Sequence, residues 1–548
     1  MMKLLMGLLI VVFGIFLSSC GPASPQMTGT PTPTTIVVIA TVPASPTRRP
    51  SATPTPSMWA EPFRNHIELK DFTGLWSPAS NEVVSIDTTA GAGDFENSRD
   101  ALILASAPTF HETRLVNDTS EDTTIGFPIW SVDGKKIFYG IYNQPESWMN
   151  RGTLWSITRD GSNALSYGGG LGGIQGWMDD HILIHSSYEG GGTSFVAGFD
   201  VLKNEDVVGE VITGGLEAMN ANYMAIATCL PVCYVCVLPK VTNIQKPPDR
   251  YNCSVEPLMG IGDTRPFPHS EVYAKVGSED YPYIETIFQD WQTGSNNMLV
   301  LGQGKIENKF TSRLLLWNAD TNKVTSLAPG GLFGKFSPNG KMLAYITSGP
   351  SSQYPEKNAQ NIPLDLVTFD DEQYLQVMNV NTRQIMIRVP IKAHRREDYS
   401  SSSAFDFTKP DELSFSPDSR YLSFVTNGSV ALKDTHFPSE ITIADTSNIY
   451  LNILDLQDGT LVQALPLDGY GEYANPNLLW APTSKKFVYQ DGQANWYLFQ
   501  LSNKAVLPIT QDKGDHLINP AWSYDGRYLS FGSTNPTKTY ILTVNNQP

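Results

Sequence analysis

The chain has 548 residues, of which 41% are hydrophobic and 11% aromatic, a composition typical of a globular protein. Its 38 basic and 55 acidic side chains give a formal net charge of −17, which argues against nonspecific nucleic-acid binding and against charge-driven adsorption to anionic lipid. The same charge keeps copies of the chain apart, so we expect a monomer that binds no nucleic acid.

The first twenty residues have the order of parts of a secretory signal. Lys3 precedes an uncharged apolar run from Leu4 to Phe16, and small residues then lead to Cys20. This run is short against the ~20 residues that span a bilayer, which disfavours a retained anchor. The sequence Leu-Ser-Ser-Cys that ends at Cys20 resembles the lipobox of bacterial lipoproteins. The resemblance implies that residues 1–19 are removed and that Cys20 is lipidated; the alternative is an ordinary signal peptide with a chance cysteine.

Residues 21–58 are dominated by proline, threonine and serine. Such a segment cannot bury enough apolar surface to offset its ordering entropy, and its prolines favour an extended chain. We therefore expect a disordered stalk that holds residues 59–548 away from a membrane. The predicted location is extracytoplasmic, with a lipid anchor in the cell membrane, or in the outer membrane if the cell has two.

Four cysteines remain once Cys20 is assigned to the anchor, namely Cys229, Cys233, Cys236 and Cys253. An even set in one exported segment indicates two disulfides, although the spacing also permits a four-cysteine zinc site or free thiols. A bridge across the short loop between Cys229 and Cys233 would leave Cys236 for Cys253. The sequence alone allows three pairings.

A short pattern recurs along residues 70–534: an aromatic residue, a small or polar turn, a basic or polar residue, and an apolar strand. The aromatic residues of the seven recognisable copies are Trp76, Trp130, Trp177, Phe336, Phe415, Trp480 and Trp522. Two weaker candidates start near Asn220 and Trp291. Where the steps between copies are long, from Phe336 to Phe415 and on to Trp480, we expect insertions.

The turn within this pattern explains its acidic and glycine residues. Asp133 with Gly134 and Asp525 with Gly526 supply the tight turn and the positive φ that glycine tolerates, and Asp418 occupies the same place in another copy. These carboxylates are therefore expected to be structural. The aromatic residue is expected to fill the gap between packed sheets.

The steps from Trp76 to Trp130, from Trp130 to Trp177, from Trp291 to Phe336 and from Trp480 to Trp522 are roughly 40–50 residues long, which is the range of propeller blades. Strands on both sides of the turn, followed by an outer hairpin, give units of four antiparallel strands. The sequence thus predicts an all-β chain that forms a single β-propeller of about eight blades, within a range of seven to nine. A pair of β-sandwiches is the competing fold. We further expect the segment from His66 to Lys70 to pair with residues 539–544 and close the ring.

The repeated aromatic-Ser-Pro-Asp-Gly-basic pattern resembles the WD40-like repeat of the TolB-type β-propellers. The resemblance covers most of residues 70–534 and implies the architecture, but it implies little about function. TolB-type proteins carry an α/β domain ahead of the propeller. A lipobox and a stalk occupy that place here, so a role in the Tol–Pal system is not implied.

The sequence contains no G-x-S-x-G elbow, no H-E-x-x-H motif and no P-loop, and we expect no cofactor. His181 and His185, four apart on a predicted strand, could share a face and join Asp179 or Asp180 at a metal, although ordinary strand roles explain them as well. Two functions stay open. One is a binding or scaffold module for a protein, peptide or glycan, and the other is an enzyme, such as a lyase or glycoside hydrolase, that uses the central funnel.

Overall fold

The structure is a computed structural model. It describes residues 59–60, 63, 65–70, 74–88, 100–116, 123–143, 152–190, 193–213, 215–229, 233–239, 252–253, 285–306, 309–321, 323–329, 331–348, 356–357, 363–364, 373–391, 413–427, 430–432, 441–443, 449–467, 477–510, 517–534 and 537–544. Within these ranges every regular element is a β-strand, and no helix is long and apolar enough to cross a membrane.

The described strands form nine four-stranded antiparallel sheets, here called blades 1 to 9 in chain order, and strand β1 (Ile67–Lys70) precedes the first of them. Blade 1 contains β2 (Leu75–Trp76), β3 (Glu82–Thr88), β4 (Asp100–Ser106) and β5 (His111–Val116). Blade 2 contains β6 (Thr123–Trp130), β7 (Lys136–Asn143), β8 (Gly152–Thr158) and β9 (Leu165–Leu171). Blade 3 contains β10 (Gly173–Trp177), β11 (Ile182–Gly190), β12 (Thr193–Asp200) and β13 (Glu205–Thr213).

The middle blades follow the same order. Blade 4 contains β14 (Gly215–Met219), β15 (Tyr223–Cys229), β16 (Cys233–Pro239) and β17 (Asn252–Cys253). Blade 5 contains β18 (Glu285–Trp291), β19 (Asn297–Ile306), β20 (Lys309–Asn318) and β21 (Lys323–Pro329). Blade 6 contains β22 (Gly331–Phe336), β23 (Met342–Ser348), β26 (Gln373–Asn379) and β27 (Ile385–Ile391), with the inserted hairpin β24 (Glu356–Lys357) and β25 (Pro363–Leu364).

The last three blades complete the set. Blade 7 contains β28 (Leu413–Phe415), β29 (Tyr421–Asn427), β32 (Ile449–Asp455) and β33 (Thr460–Leu467), with the inserted hairpin β30 (Val430–Leu432) and β31 (Ile441–Ile443). Blade 8 contains β34 (Leu478–Trp480), β35 (Lys486–Gln490), β36 (Trp496–Gln500) and β37 (Ala505–Pro508). Blade 9 contains β38 (Leu517–Trp522), β39 (Tyr528–Thr534), β40 (Thr537–Thr543) and the early strand β1. The hairpins in blades 6 and 7 are insertions of the kind that the long repeat steps predict.

Nine clusters of buried apolar residues lie between these sheets, counted over the described residues, and each joins two consecutive blades. The cluster of blades 1 and 2, for example, packs Val84 and Leu102 against Trp130 and Ile137. The ninth cluster joins blade 9 to blade 1 and closes the ring. Because every sheet is covered on both faces by its neighbours, the fold is one all-β propeller. Nine blades fall at the upper end of the expected range.

The ring closes through the strand that precedes blade 1. Strand β1 pairs antiparallel with β40, and the register sets Ile67 opposite Ile541 and Leu69 opposite Thr539. Blade 9 therefore takes its outermost strand from the start of the domain, which confirms the predicted closure. With β1 beside it, β40 is no longer an edge strand that presents free backbone groups to other chains.

A second contact at the start of the domain supports this closure. Trp59 is 2% exposed and packs in the cluster between blades 8 and 9, with its ring 5.2 Å from that of Tyr540. Its main chain forms an isolated bridge with Thr510, two residues after the outermost strand of blade 8. Residues that precede β1 are thus part of the packed ring.

The turns between the first and second strands join neighbouring blades. Glycine stands at the positive-φ position in several turns, and a β-carbon on Gly134 would lie 2.8 Å from Ala79 Cβ of blade 1. Ser419 and Ser484 take the same position in blades 7 and 8, also with positive φ. Their hydroxyl groups accept hydrogen bonds from the backbone N–H of Asn339 (3.0 Å) and Asp418 (2.9 Å) in the preceding blade. The choice of glycine or serine at this position therefore depends on the contact with the neighbouring blade as well as on the conformation of the turn.

Candidate functional site

The acidic residues of the repeat serve its turns. Ser131 Oγ donates to Asp133 at 2.8 Å, and this bond with those from Lys135 lowers the Asp133 pKa to about 2. Asp418 accepts equivalent bonds from Ser416 and Arg420. Gly134 and Gly526 hold positive φ in two of these turns. Each carboxylate thus stabilises its own turn by accepting hydrogen bonds from nearby residues. These turn residues do not come together as a catalytic set.

Asp525 has a further bond that crosses the ring closure. Burial alone would raise the pKa of this carboxyl, but hydrogen bonds from Asn81, Arg527 and Ser523 lower it to about 2. Asn81 Nδ2 of blade 1 donates to Asp525 Oδ2 of blade 9 at 2.8 Å. The turn between the first two strands of blade 9 is thereby attached to the corresponding turn of blade 1.

The repeated aromatic residues end the first strand of their blades. The indole Nε1 of Trp130 donates to Leu75 O (2.9 Å), and that of Trp177 donates to Trp130 O (2.6 Å). Across the closure, Trp76 Nε1 donates to Ala521 O at 3.2 Å. Trp522, Trp480, Phe336 and Phe415 end the corresponding strands of blades 9, 8, 6 and 7. Since these bonds join the first strands of consecutive blades, the first strands border the central channel.

The suggested metal ligands lie in two different places. Asp179, Asp180 and His181 form a turn, with one ligand atom from each within 4.8 Å of the others, and His181 Nδ1 lies 2.7 Å from Asp180 Oδ1. His181 precedes β11 and is not on the strand, which corrects the prediction that it shares a strand face with His185. His185 is buried on β11, where its Nδ1 accepts the backbone N–H of Gly172 at 3.1 Å. Asp179 Oδ1 accepts the N–H groups of His181 and Ile182, as a turn residue does.

The cysteines are placed only by their backbone. In blade 4, Cys229 lies opposite Cys233 and Cys236 lies opposite Cys253. Cys20, the residue predicted to be lipidated, lies outside the described residues, as do the signal and the stalk.

One aromatic side chain on the channel edge stands at a backbone position that is strained for its residue type. Phe127 on β6 has a φ of 51° and is 53% exposed. It lies in a bulge, because the pairing of β6 with β7 shifts register between Gly126 and Ile129. A bulge re-aims the side chain that it carries. A bulky residue at positive φ is a backbone outlier, and such strain concentrates at functional sites.

Blade 9 contains the same bulge with a different residue. Phe127-Pro-Ile-Trp in blade 2 corresponds to Asn519-Pro-Ala-Trp in blade 9, and Asn519 also has a φ of 51°. The pairing of β38 shifts register at the same place, between Ile518 and Ala521. Asparagine tolerates positive φ far better than phenylalanine. The bulge therefore belongs to the fold, whereas the aromatic side chain in it does not.

The ring of Phe127 is supported from behind. Tyr142 is 8% exposed and lies edge-on to Phe127, with 5.8 Å between ring centroids. Burial raises the pKa of Tyr142 to about 12, so its hydroxyl stays protonated and donates to Gly172 O at 2.9 Å. A β-carbon on Gly173 would lie 3.2 Å from Phe127 Cζ. The Phe127 ring thus lies against the start of blade 3.

Gly172, which precedes the first strand of blade 3, is held by hydrogen bonds to both neighbouring blades. Its carbonyl accepts from Tyr142 of blade 2, and its N–H donates to His185 of blade 3. Gln175, exposed on β10, donates from Nε2 to Ser186 Oγ at 2.9 Å. We call Phe127, Tyr142, Gly172, Gly173 and Gln175 the channel-edge cluster. It presents an aromatic ring and an amide to solvent on a rigid base.

Asp290 is an acidic residue on the first strand of blade 5. Burial raises its pKa, although the N–H groups of Phe336 and Trp291 and the charge of Lys335 act in the opposite direction. Phe336 N donates to Asp290 Oδ2 at 2.8 Å, and Trp291 N donates to Oδ1 at 2.9 Å. Both oxygens are thus engaged with backbone, and Asp290 joins blade 5 to blade 6.

A recess of about 430 Å³ lies beside the ring closure. Its polar residues include Glu82, which accepts hydrogen bonds from Ser80 (2.7 Å) and Ser106 (3.1 Å) and lies 3.6 Å from Arg159 Nη1. Glu82 is therefore engaged by its own neighbours within this recess.

No protein-family model matches this chain, and no curated protein matches it significantly. Among solved structures, it is similar to the Dos1 propeller, with 11% identity and a TM-score of 0.39 over 76% of this chain and 93% of that one. The C-terminal WD40 domain of Sif2 has 10% identity and a TM-score of 0.38, over 88% of this chain and 97% of that one. An oligogalacturonate lyase in complex with manganese has 10% identity and a TM-score of 0.35, over 87% and 99%. The propeller assignment rests on the ring of sheets and cores described above.

Proposed function

We propose that the chain is a membrane-tethered extracytoplasmic β-propeller that binds a protein, peptide or glycan at the channel-edge cluster. The observation that carries this proposal is the exposed Phe127 at positive φ. Backbone strain of this kind costs about 1–3 kcal/mol and persists where the surroundings enforce it. Since Asn519 occupies the same bulge without that penalty, a role in binding explains why an aromatic ring stands at residue 127.

The chemistry of the cluster fits an uncharged ligand. Phe127 offers a ring face, Gln175 offers an amide, and Leu75 of blade 1 is a further exposed apolar residue on a first strand, at 44% exposure. An apolar platform with a few fixed polar groups is typical of small-molecule and peptide sites. A sugar ring or a peptide segment has the matching mixture of apolar faces and hydrogen-bonding groups.

The test compares Phe127→Asn with Leu202→Asn in the secreted Cys20→Ser chain. Leu202 is 79% exposed in a turn of blade 3 and lies outside the cluster, so it controls for the loss of an exposed apolar side chain. Binding is measured on arrays of envelope oligosaccharides and of peptides, and folding is measured by thermal unfolding. We expect Phe127→Asn to unfold at the same or a higher temperature and to lose at least about tenfold in affinity, the equivalent of about 1.4 kcal/mol. Equal affinity of Phe127→Asn and the parent for every probe would refute the site.

The tether is tested separately. The supporting observation is the Leu-Ser-Ser-Cys sequence behind a short apolar run. Cells that express the parent or Cys20→Ser are fractionated, and we expect the parent in the membrane fraction and the variant in the soluble exported fraction. If both stay equally membrane-bound, the lipid anchor is wrong, while the channel-edge site is unaffected.

The alternative is an enzyme, such as a lyase or glycoside hydrolase, with its site in the funnel. The raised pKa of Asp290 on a first strand is the observation that favours it, because perturbed carboxyls cluster at catalytic sites. The two hydrogen bonds that Asp290 accepts from backbone N–H groups favour instead a structural role, in which Asp290 joins blade 5 to blade 6. Cleavage of an oligosaccharide that the parent binds, as seen by mass spectrometry, would establish the enzyme over the binding module.

A further inference from the structure

We propose that blade 4 contains two cross-strand disulfides, Cys229–Cys233 and Cys236–Cys253. The sequence leaves three pairings and a zinc site open. The strand register of blade 4 distinguishes between these alternatives. Strand β16 lies between β15 and β17, with Cys233 opposite Cys229 on one side and Cys236 opposite Cys253 on the other.

The register assigns each pair to one face of the sheet. Residues directly opposite in neighbouring strands share a face, and residues an odd number apart on one strand lie on opposite faces. Cys233 and Cys236 are three apart on β16. Cys229 and Cys233 therefore lie on one face, and Cys236 and Cys253 lie on the other. Each of the two other pairings would have to join cysteines across the sheet.

Distance supports the same pairing. Directly opposite residues of an antiparallel pair have Cα atoms about 4.5–5.5 Å apart, and disulfides join Cα atoms at about 4.4–6.8 Å. A four-cysteine zinc site needs four sulfurs at about 2.3 Å from one ion. With two cysteines on each face, the backbone of the sheet would stand between the two halves of such a site. The register therefore excludes the zinc alternative.

The chemistry of each bridge is a two-electron oxidation. A protein or small-molecule disulfide serves as oxidant: one cysteine thiolate attacks it to form a mixed disulfide and releases one thiol, and the second cysteine thiolate then displaces the other. Two thiol protons are transferred to the two leaving sulfurs, so the oxidant leaves as a dithiol or as two thiols. An exported chain meets oxidants of this class.

The Cys236–Cys253 bridge has the larger structural effect. Strand β17 is only two residues long, Asn252–Cys253, yet it is the outermost strand of blade 4. The bridge would attach this short strand to β16 across the intervening segment. The Cys229–Cys233 bridge spans only three intervening residues, and constraint of a shorter loop stabilises less.

The test is peptide mapping of the full chain, alkylated without reduction and cut with chymotrypsin. Cleavage after Tyr234 separates the segment with Cys229 and Cys233 from the segment with Cys236. We expect the first as a single peptide with an internal bridge, and the Cys236 peptide joined to the Cys253 peptide. A bridge that joins the two sides of the Tyr234 cut would refute the pairing, as would four alkylated cysteines or bound zinc.

Two double variants measure the effect of each bridge and leave no unpaired thiol. We expect Cys236→Ser with Cys253→Ser to lower the unfolding temperature of the oxidised chain more than Cys229→Ser with Cys233→Ser does. Under a reducing agent, the unfolding temperature of the parent should fall to that of the less stable double variant or below it. If reduction changes neither the parent nor the variants, the bridges are absent.

Discussion

Leu69, on a strand that precedes the first blade, lies directly opposite Thr539 near the end of the chain. Leu69 is 2% exposed and packs with Val83 of blade 1 and Ile541 of blade 9. One short strand thus completes the ninth sheet and contributes to the ninth core, so the whole ring depends on a contact between residues that are far apart in sequence.

We expect Leu69→Ala to destabilise the fold by about 2–5 kcal/mol, the range for truncation of a buried leucine. Glu68→Ala is the matched control, because Glu68 is half-exposed and its ion pair with Lys538 contributes at most about 1 kcal/mol.

A chain that starts at Gly74 should melt lower and aggregate more than one that starts at Met58. Equal unfolding temperatures of the two chains would show that β1 does not hold the ring closed.

Acid stability depends in part on Asp525. Its folded pKa of about 2 lies below the ordinary 3.8, so the carboxylate contributes stability that is complete above about pH 4 and is lost as the pH falls through about 2. Asn339 occupies the equivalent turn position of blade 6, so Asp525→Asn should keep the turn. We expect the variant to be less stable than the parent at pH 7 and to lose less stability between pH 4 and pH 2. Parallel unfolding curves for the two proteins across this range would contradict the assignment.

Lys486 is a buried lysine between blades 8 and 9. It is 4% exposed, its Nζ donates to Val544 O at 3.3 Å, and burial lowers its pKa. A lysine with a lowered folded pKa destabilises the fold at neutral pH, and this cost diminishes as the pH rises towards the ordinary 10.5. Lys486→Met should therefore be more stable than the parent at pH 7, with a smaller gain at pH 10. Lys485→Met at the exposed neighbouring position should change little; an equal effect of the two would refute the burial argument.

Variants of Ser419 allow the cost of its positive φ to be measured separately from the contribution of its hydrogen bond to Asn339. Ser419→Ala and Ser419→Gly both remove the acceptor of the Asn339 N–H, and because Asn339 is an exposed residue this loss costs about 0.5–1.5 kcal/mol. Only the glycine relieves the backbone strain of about 1–2 kcal/mol. We expect Ser419→Gly to be more stable than Ser419→Ala, as measured by chemical denaturation. An alanine variant as stable as the glycine variant would show that positive φ carries no cost here.

The repeat predicted most of the ring because its turn is made by local chemistry. Ser131, Asp133 and Gly134 define their turn through bonds within a few residues, so the sequence alone reveals them. The blades near Asn220 and Trp291 are complete, but their sequence signal is weak for a physical reason. The first strand of blade 4 ends at Met219 and its turn relies on Asn220, whereas the turn of blade 5 relies on Gln292.

The candidate site could not be predicted in the same way. Phe127 becomes exceptional only through its φ and its exposure, which depend on the bulge and on Tyr142 behind the ring. The contrast between Phe127-Pro and Asn519-Pro ahead of two equivalent tryptophans was a signal in the sequence. His181 was wrongly assigned to a strand because the strand starts one residue later, at Ile182, and the turn includes the histidine.

The position of Trp59 has a mechanical consequence for a tethered protein. The chain reaches Trp59 before β1, and Trp59 packs between blades 8 and 9 next to Thr510. Tension applied through a preceding stalk would load this indole first and the β1–β40 ladder only after the indole had been pulled out. Trp59 would therefore shield the β1–β40 pairing from forces too small to extract the indole.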